Sequence, residues 1–420
     1  MNTIDIILKE LEGNNYSIST DTRKDVAGSV YFALTGENFD GSAFIEDALA
    51  KGAVAVVTEN KSKAGEHVYV VDSVLTALQK ASTAYRALFN IPLIALGGSN
   101  GKTTSKELLK EALKSKYKVH ATEGSLNNHI GVPLTLFSMP QDTEIGIFEI
   151  GANHPKEHLD LLEILNPTHV VVTNNGMDHL EGFGSPLGSR LANKEIYDWA
   201  KENNAKTFVH KNHPDLIEDS TGIERILYPE YTLATVPGTF LSFSYDDKKY
   251  TTQMIGNYNL ENVELAVSIG QYFGVKKEDA LDAVCNYAPS SRRSQFIQKD
   301  NIDFIVDCYN ANPTSMKLSL DSFLTSAASQ KGVILGDMLE LGEYADDEHK
   351  KIVEYVLSAP LTTRIFIGIF FKKALADISG DFKWFETSDE AKIWFDQQNF
   401  SGFTFLLKGS RGLKMEKILV

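Results

Sequence analysis

Apolar and polar positions along the 420-residue chain follow two periods. Short β-branched and aromatic runs predict strands over 30–34 (VYFAL), 54–58 (VAVVT) and 67–71. Apolar residues three and four apart predict helices over 44–51 and 76–89. Asn90-Ile91-Pro92 marks a boundary, because the residue before a proline avoids the helical region. From 92 onward a regular strand–helix series follows. Its strands fall at 93–96, 145–150, 169–173 and 207–210, and its helices at 103–117, 158–165 and 192–202. Residues 225–255 switch to antiparallel-looking strands, including 240–245 and 250–254, before a helix over 259–272. A second series begins near 300, with strands over 304–307, 333–335, 363–367 and 404–408. Its helices lie over 315–326, 349–357 and 389–400. This alternation implies an α/β fold whose mostly parallel sheets are covered on both faces. The length exceeds one ordinary core and suggests two to four domains.

Composition narrows the function classes. Hydrophobic residues make up 43% and charged residues 23%, as in soluble globular proteins. A net charge of −15 and no dense Lys/Arg patch speak against a nucleic-acid partner. The longest apolar runs are too short for a transmembrane segment, and the acidic amphipathic start does not resemble a signal peptide. Two cysteines, Cys285 and Cys308, are expected to be reduced thiols in a cytoplasmic protein.

The candidate chemistry begins with ALGGSNGKTTS at 95–105. The usual phosphate-loop pattern places a glycine six residues before the lysine, but Leu96 stands there, and the glycines are Gly97, Gly98 and Gly101. The context still suits a nucleotide, since an apolar strand enters and a helix leaves. Gly98, Asn100 and Gly101 would shape the bend, successive N–H groups would face a phosphate, and Lys102 would reach the terminal phosphates. Thr103, with Thr104 beside it, would offer a hydroxyl toward Mg²⁺.

Glu149 ends the strand IGIFEI, and His179 follows HVVVT by a short loop. With Thr103 they make a credible metal shell, although each alone also reads as a structural residue. Lys194, in LANKEIYDW, reads by itself as a surface lysine. Asp307 and Asp337 each follow a strand, where a carboxylate can hold a ribose or orient a cation. Lys408 and Arg411, in FLLKGSRG, suit an anionic substrate group or are simply solvated.

Together these segments resemble the Mur ligase family of peptidoglycan synthesis. The pieces run from TDTRKDVAGSVYFALTGENFDG at 20–41 and GGSNGKTTSKE at 97–107 through TEGSLNNHIGVPLTL at 122–136. They continue with EIGANHP, HLEGFGS and NKE, then GNYNLENVELA, DCYNANPTSM, LGDMLELG and KGSRGLKME. The GANHP, YNANPTSM and LGDMLELG segments match the branch that adds D-alanyl-D-alanine. The resemblance implies three domains. Residues 1–90 would form an α/β domain recognising a UDP-sugar, 91–298 a P-loop ATPase-type domain with a mostly parallel sheet, and 299–420 a Rossmann-like domain.

It also implies an activity: ATP-dependent joining of D-alanyl-D-alanine to the terminal carboxylate of a UDP-N-acetylmuramoyl-tripeptide through an acyl phosphate, by a monomer. Lys102 would hold the β- and γ-phosphates. Thr103 and Glu149 would ligate one Mg²⁺ and His179 a second. Lys194 matches a lysine that is carbamylated in the family. Asn262 would contact the adenine, and Arg293 and Asp307 the ribose or phosphates. Thr22 and Arg23 would bind UDP, with Asn127 and Asn128 near the sugar. Asn310, Asn312, Lys408 and Arg411 would approach the substrates from the C-terminal part.

The chain departs from the family pattern at Thr22, Ser125, Asn257 and Met177-Asp178, which bears on fine contacts rather than on the reaction. The alternatives are a diamino-acid-adding Mur ligase or a folylpolyglutamate synthase-like ligase. The YNANPTSM and LGDMLELG segments speak against the first and the N-terminal region against the second. A non-catalytic nucleotide-binding protein would not need Lys102, Glu149, His179 and Lys194 together.

Overall fold

The computed structural model describes residues 3–36, 39–233, 240–289 and 292–419. Glu37 and Asn38 of the 20–41 motif lie outside them. The chain forms two compact units. The first comprises Met1–Ala95, Lys118–Gly151 and Glu157–His169, and the second Leu96–Tyr117, Ala152–Lys156 and Val170–Val420.

In the first unit a parallel sheet runs in the order Ile18–Ser19, Val30–Phe32, Ala55–Thr58, Val68–Val70. Alternation decides its two faces. Val30, Phe32, Ala55 and Val57 pack with Ile7, Leu11, Val74 and Leu78 from the Thr3–Gly13 and Val74–Arg86 helices. Tyr31, Ala33 and Val56 face Ile45 and Ala48 on the other side. Each such aliphatic or aromatic burial contributes about 1.5–3 kcal/mol. Ser73 caps the Val74–Arg86 helix by accepting from Thr76 N at 3.2 Å. Further along, Val119–Ala121 pairs in parallel with Ile145–Glu149.

In the second unit, strands Arg225–Tyr228, Lys206–His210 and His169–Val172 lie side by side. The carboxyl end of Leu93–Gly97 follows, where Thr173 N donates to Gly97 O at 3.0 Å. Helices Lys102–Lys114, Leu260–Tyr272 and Lys277–Asn286 pack where Gly270 leaves room for Ala112 and Ala280. An antiparallel sheet (Thr232–Leu233, Ser242–Tyr245, Lys248–Thr251) turns at Asp246 and Asp247, both with positive φ, as a two-residue hairpin requires.

The last sheet runs Gln295–Lys299, Ile302–Asp307, Thr404–Lys408, Lys331–Gly336, Thr363–Ile367, Lys383–Phe385. Its first pair is antiparallel and the rest parallel. Ile305, Leu406, Leu335 and Phe366 enter one core, while Phe304, Val306, Phe405, Ile334 and Ile365 enter the other. The sheet is therefore covered on both faces, as the continuous apolar strands predict.

Element types agree with the sequence pattern more often than element ends do. The helix expected over 192–202 runs Pro186–Glu202. Ser185 accepts from Gly188 N at 3.0 Å and Pro186 stands in the first turn, a start signal inside what reads as a loop. The helix expected over 389–400 stops at Phe395. Helices Gly131–Phe137 and Ile369–Leu375 were not anticipated, because neither is long enough to show a period. No helix among the described residues is long and apolar enough to cross a membrane.

Candidate active site

The glycine loop follows a strand in which Leu96 is fully buried, so the missing glycine belongs to the sheet and not to the bend. The bend is made at Gly98 (φ +114) and Gly101 (φ +80). A Cβ at Gly98 would sit 2.3 Å from Thr173 Oγ1, and one at Gly101 would sit 2.5 Å from Asn262 Oδ1. Thr173 Oγ1 donates to Asn100 O at 2.7 Å, Ser99 N donates to Asn174 O at 2.9 Å and Asn100 N to Asn174 Oδ1 at 3.1 Å. The loop is thus strapped to the residues after the neighbouring strand. No side chain caps the Lys102–Lys114 helix, which leaves its N-terminal dipole for an anion. Lys102 Nζ folds back onto Gly98 O and Ser99 O. Thr103 is buried in the first turn, with Thr104 half-buried beside it.

Asn262 reaches this loop through the space at Gly101. Its Oδ1 accepts from Ser105 Oγ at 2.8 Å and its Nδ2 donates to Asn259 Oδ1 at 2.9 Å. Asn312 also arrives here. Its Oδ1 accepts from Ser315 N at 2.8 Å in a capping box, while its Nδ2 donates to Asn100 Oδ1 at 2.9 Å. Asn193 Nδ2 donates to Ser99 Oγ at 3.2 Å and to Asn175 Oδ1 at 3.1 Å, which holds the Pro186–Glu202 helix against the loop. The next residue, Lys194, is partly exposed and ion-paired with Asp198 one turn on.

His179 has φ 47 and stands at the start of the short Leu180–Phe183 helix. Its Nδ1 lies 2.7 Å from Glu340 Oε2, and this hydrogen bond holds the Glu340 carboxyl below its ordinary value. Glu340 escaped the sequence analysis because its segment, LGDMLELG, drew attention to Asp337. Asp337 is instead a buried pin: its carboxylate accepts from Phe370 N at 3.0 Å and Phe371 N at 2.9 Å. Burial raises its pKa against those bonds.

Strand register sets Asp307 directly beside Lys408. Lys408 is 2% exposed, and its Nζ lies 2.6 Å from Asp307 Oδ2, which also accepts from Ser319 Oγ at 2.8 Å. Burial pushes Asp307 up, but Lys408, Ser319 and the Arg293 charge outweigh it and hold the carboxyl below its ordinary value. The Arg293 guanidinium stacks on Tyr309 at 3.7 Å, with its buried Nε lacking a hydrogen-bond partner. Asn310 Oδ1 accepts from Ala311 N at 2.9 Å. Arg411 is exposed and pairs with Glu416 at 3.1 Å.

The remaining expected residues belong to the first unit. Glu149 is 1% exposed; its Oε1 accepts from Asn127 Nδ2 at 2.8 Å, and its N–H donates to Thr122 Oγ1 at 3.0 Å. Asn128 Oδ1 accepts from Ile130 N and Gly131 N at 3.1 and 2.8 Å, just ahead of the Gly131–Phe137 helix. Thr22 is buried, and its carbonyl accepts from Lys51 Nζ at 2.8 Å. Exposed Arg23 pairs with Asp21 at 2.8 Å, and this hydrogen bond pulls the Asp21 carboxyl down to about 2.

Three family models match consecutive stretches of the chain: "Mur ligase family, catalytic domain" over residues 15–91, "Mur ligase middle domain" over 96–270, and "Mur ligase, glutamate ligase domain" over 292–399. A UDP-N-acetylmuramoyl-tripeptide–D-alanyl-D-alanine ligase of Bacillus subtilis is 33% identical over 427 residues, covering 96% of this chain and 92% of its own. The chain belongs to the Mur ligase family. It is accordingly an ATP-dependent carboxylate–amine ligase. The crystal structure of MurF from Acinetobacter baumannii superposes with a TM-score of 0.87 at 27% identity, covering 98% of this chain and 97% of its own. MurF ligase from Thermotoga maritima, solved in complex with ADP, shares the fold with a TM-score of 0.84 at 24% identity over 96% of each chain. The fold is thus the three-domain α/β type of the Mur ligases.

Proposed function

We propose that this Mur ligase joins D-alanyl-D-alanine to the terminal carboxylate of a UDP-N-acetylmuramoyl-tripeptide, releasing ADP and phosphate in the cytoplasm. The end-to-end similarity to the Bacillus ligase carries the choice of substrates. The strapped glycine loop at an uncapped helix supports the nucleotide's place. Residues 1–90 recognise the UDP-sugar, 91–298 hold ATP and 299–420 bring the amine substrate.

A carboxylate resists attack by an amine. Transfer of the γ-phosphoryl group to its oxygen gives an acyl phosphate and ADP, and the amine then attacks the activated carbonyl. The tetrahedral intermediate expels phosphate and leaves the amide. Lys102 leaves the Gly98 carbonyl to meet the β- and γ-phosphates, and the N–H groups at the uncapped start of the Lys102–Lys114 helix take the charge that builds on phosphoryl oxygens, those of Ser99 and Asn100 being held by Asn174. Asn262 faces the adenine, and Arg293 and Asp307 face the ribose or phosphates. Lys408 acts through Asp307, whose charge it maintains, while Arg411 and Asn310 remain for the substrates. Asn312 acts through Asn100. Thr22 and Arg23 serve the uridine nucleotide, with Asn127 and Asn128 near the sugar.

As donor types, Thr103 offers a hydroxyl and His179 an imidazole whose other nitrogen is already engaged, and Glu149 in the first unit offers a buried carboxylate. Thr103 and Glu149 would hold one Mg²⁺ and His179 a second, and these ions would supply charge neutralisation at the transferring phosphoryl group. Lys194 would join them only after carbamylation, in which its neutral amine adds CO₂ and loses a proton to give an anionic carbamate in place of the ammonium.

The test is ADP release with purified substrates. D-alanyl-D-alanine with the UDP-muramoyl tripeptide should drive it, and free diamino acids or glutamate should not. Turnover with a free diamino acid in place of the dipeptide would reassign the chain within the family.

A further inference from the structure

The loop bearing Glu340 is tethered at each preceding residue. Asp337 accepts from the Phe370 and Phe371 amides. Met338 N donates to Nε2 of fully buried His349 at 2.9 Å, and Leu339 N donates to Ser410 Oγ at 2.9 Å. Glu340 follows, in the left-handed region at φ 65. Its carbonyl accepts from Glu181 N at 3.0 Å, and its carboxylate meets His179 Nδ1 at 2.7 Å. Leu180 shares a core with Met338 and Leu341, and a Cβ at Gly342 would come 3.2 Å from Glu181 Cα. His179 and Glu340, both non-glycine and both left-handed, thus face each other in conformations that cost backbone strain. The interlocked loops over-determine both conformations.

We propose that Glu340 is the positioning residue for His179: it accepts the Nδ1 proton, fixes the ring tautomer and leaves Nε2 as the unprotonated nitrogen for Mg²⁺. This rests on His179 being a metal ligand, as proposed above. A carboxylate on the far nitrogen of a ligating histidine fixes the ring and raises its basicity. An amide at this position retains an acceptor oxygen, and an alanine does not.

Two measurements test the role. Nitrogen-15 NMR of histidine-labelled protein should show His179 as the Nδ1–H tautomer in the parent and in Glu340→Gln, and as a mixture in Glu340→Ala. In the ADP-loaded protein, Mn²⁺ affinity followed by electron paramagnetic resonance should fall about 10–100-fold in Glu340→Ala. Glu340→Gln should stay within a few-fold of the parent. An Nε2–H tautomer in the parent overturns the proposal. So does unchanged Mn²⁺ affinity in Glu340→Ala when His179→Ala is weakened, and that result leaves the metal assignment standing. Unchanged affinity in His179→Ala overturns both. Should Glu340→Ala fail to fold, Glu340→Leu decides, since it keeps bulk but no acceptor: an unchanged Nδ1–H tautomer there overturns the role.

Discussion

Lys102 and Gly101 separate two contributions of the glycine loop. Among the described residues Lys102 Nζ hydrogen-bonds only to carbonyls of its own loop, so Lys102→Ala should leave stability nearly unchanged. It should lower the rate of ADP release by about 10²–10³-fold, measured with saturating substrates. Gly101→Ala acts on conformation instead. It forces a side chain to φ +80 and against Asn262 Oδ1, which costs on the order of 1–3 kcal/mol. Calorimetric titration should find ADP binding lost in that variant while its circular dichroism stays native. Lys408→Met strands the Asp307 carboxylate and should cost about 3–5 kcal/mol at pH 7 by denaturant unfolding. The pH dependence has a definite sign. In the parent, Asp307 titrates below its unfolded value, so its contribution is present above that value and fades as pH falls through the folded one. Without Lys408, burial is opposed only by Ser319 and the Arg293 charge, so the Asp307 carboxyl should rise, acid should relieve the variant and the gap between the two proteins should narrow as pH falls.

Among the elements, the Pro313–Thr325 helix carries a double-duty cap. Asn312→Ala removes its capping bond, worth about 1 kcal/mol, and also frees Asn100. A lower Tm together with a raised KM for ATP would show both losses; a lower Tm alone would show the cap only. Elements were legible in the sequence where a period persisted, as in the strand–loop–helix around Lys102. They were not legible where a few residues decide, as at Ser185-Pro186. The site divides in the same way. Lys102, Thr103 and Asn262 announce themselves by local motif. Glu340 does not, since its partner His179 is remote in sequence and only the folded loops bring them together. The pairing of Lys408 with Asp307 follows from a parallel register, which no local pattern encodes.

For the whole molecule, ligand binding and stability are linked. Mg²⁺–ADP at a hundred times its Kd should add about 2.7 kcal/mol to the native state. Thermal melts should show a rise for the parent and none for Gly101→Ala. Both cysteines are free thiols, Cys285 in the Lys277–Asn286 helix and Cys308 just beyond the Ile302–Asp307 strand. Burial pushes them up, to about 11 for Cys285 and about 12 for Cys308. At neutral pH neither is a ready nucleophile. Alkylating reagents therefore reach buried Cys308 only when the surrounding structure opens, whereas half-buried Cys285 reacts at the pace its scarce thiolate allows. Mass spectrometry of the two peptides would time the breathing of the last sheet at Cys308 against Cys285 as an internal reference, with no residue of the chain replaced.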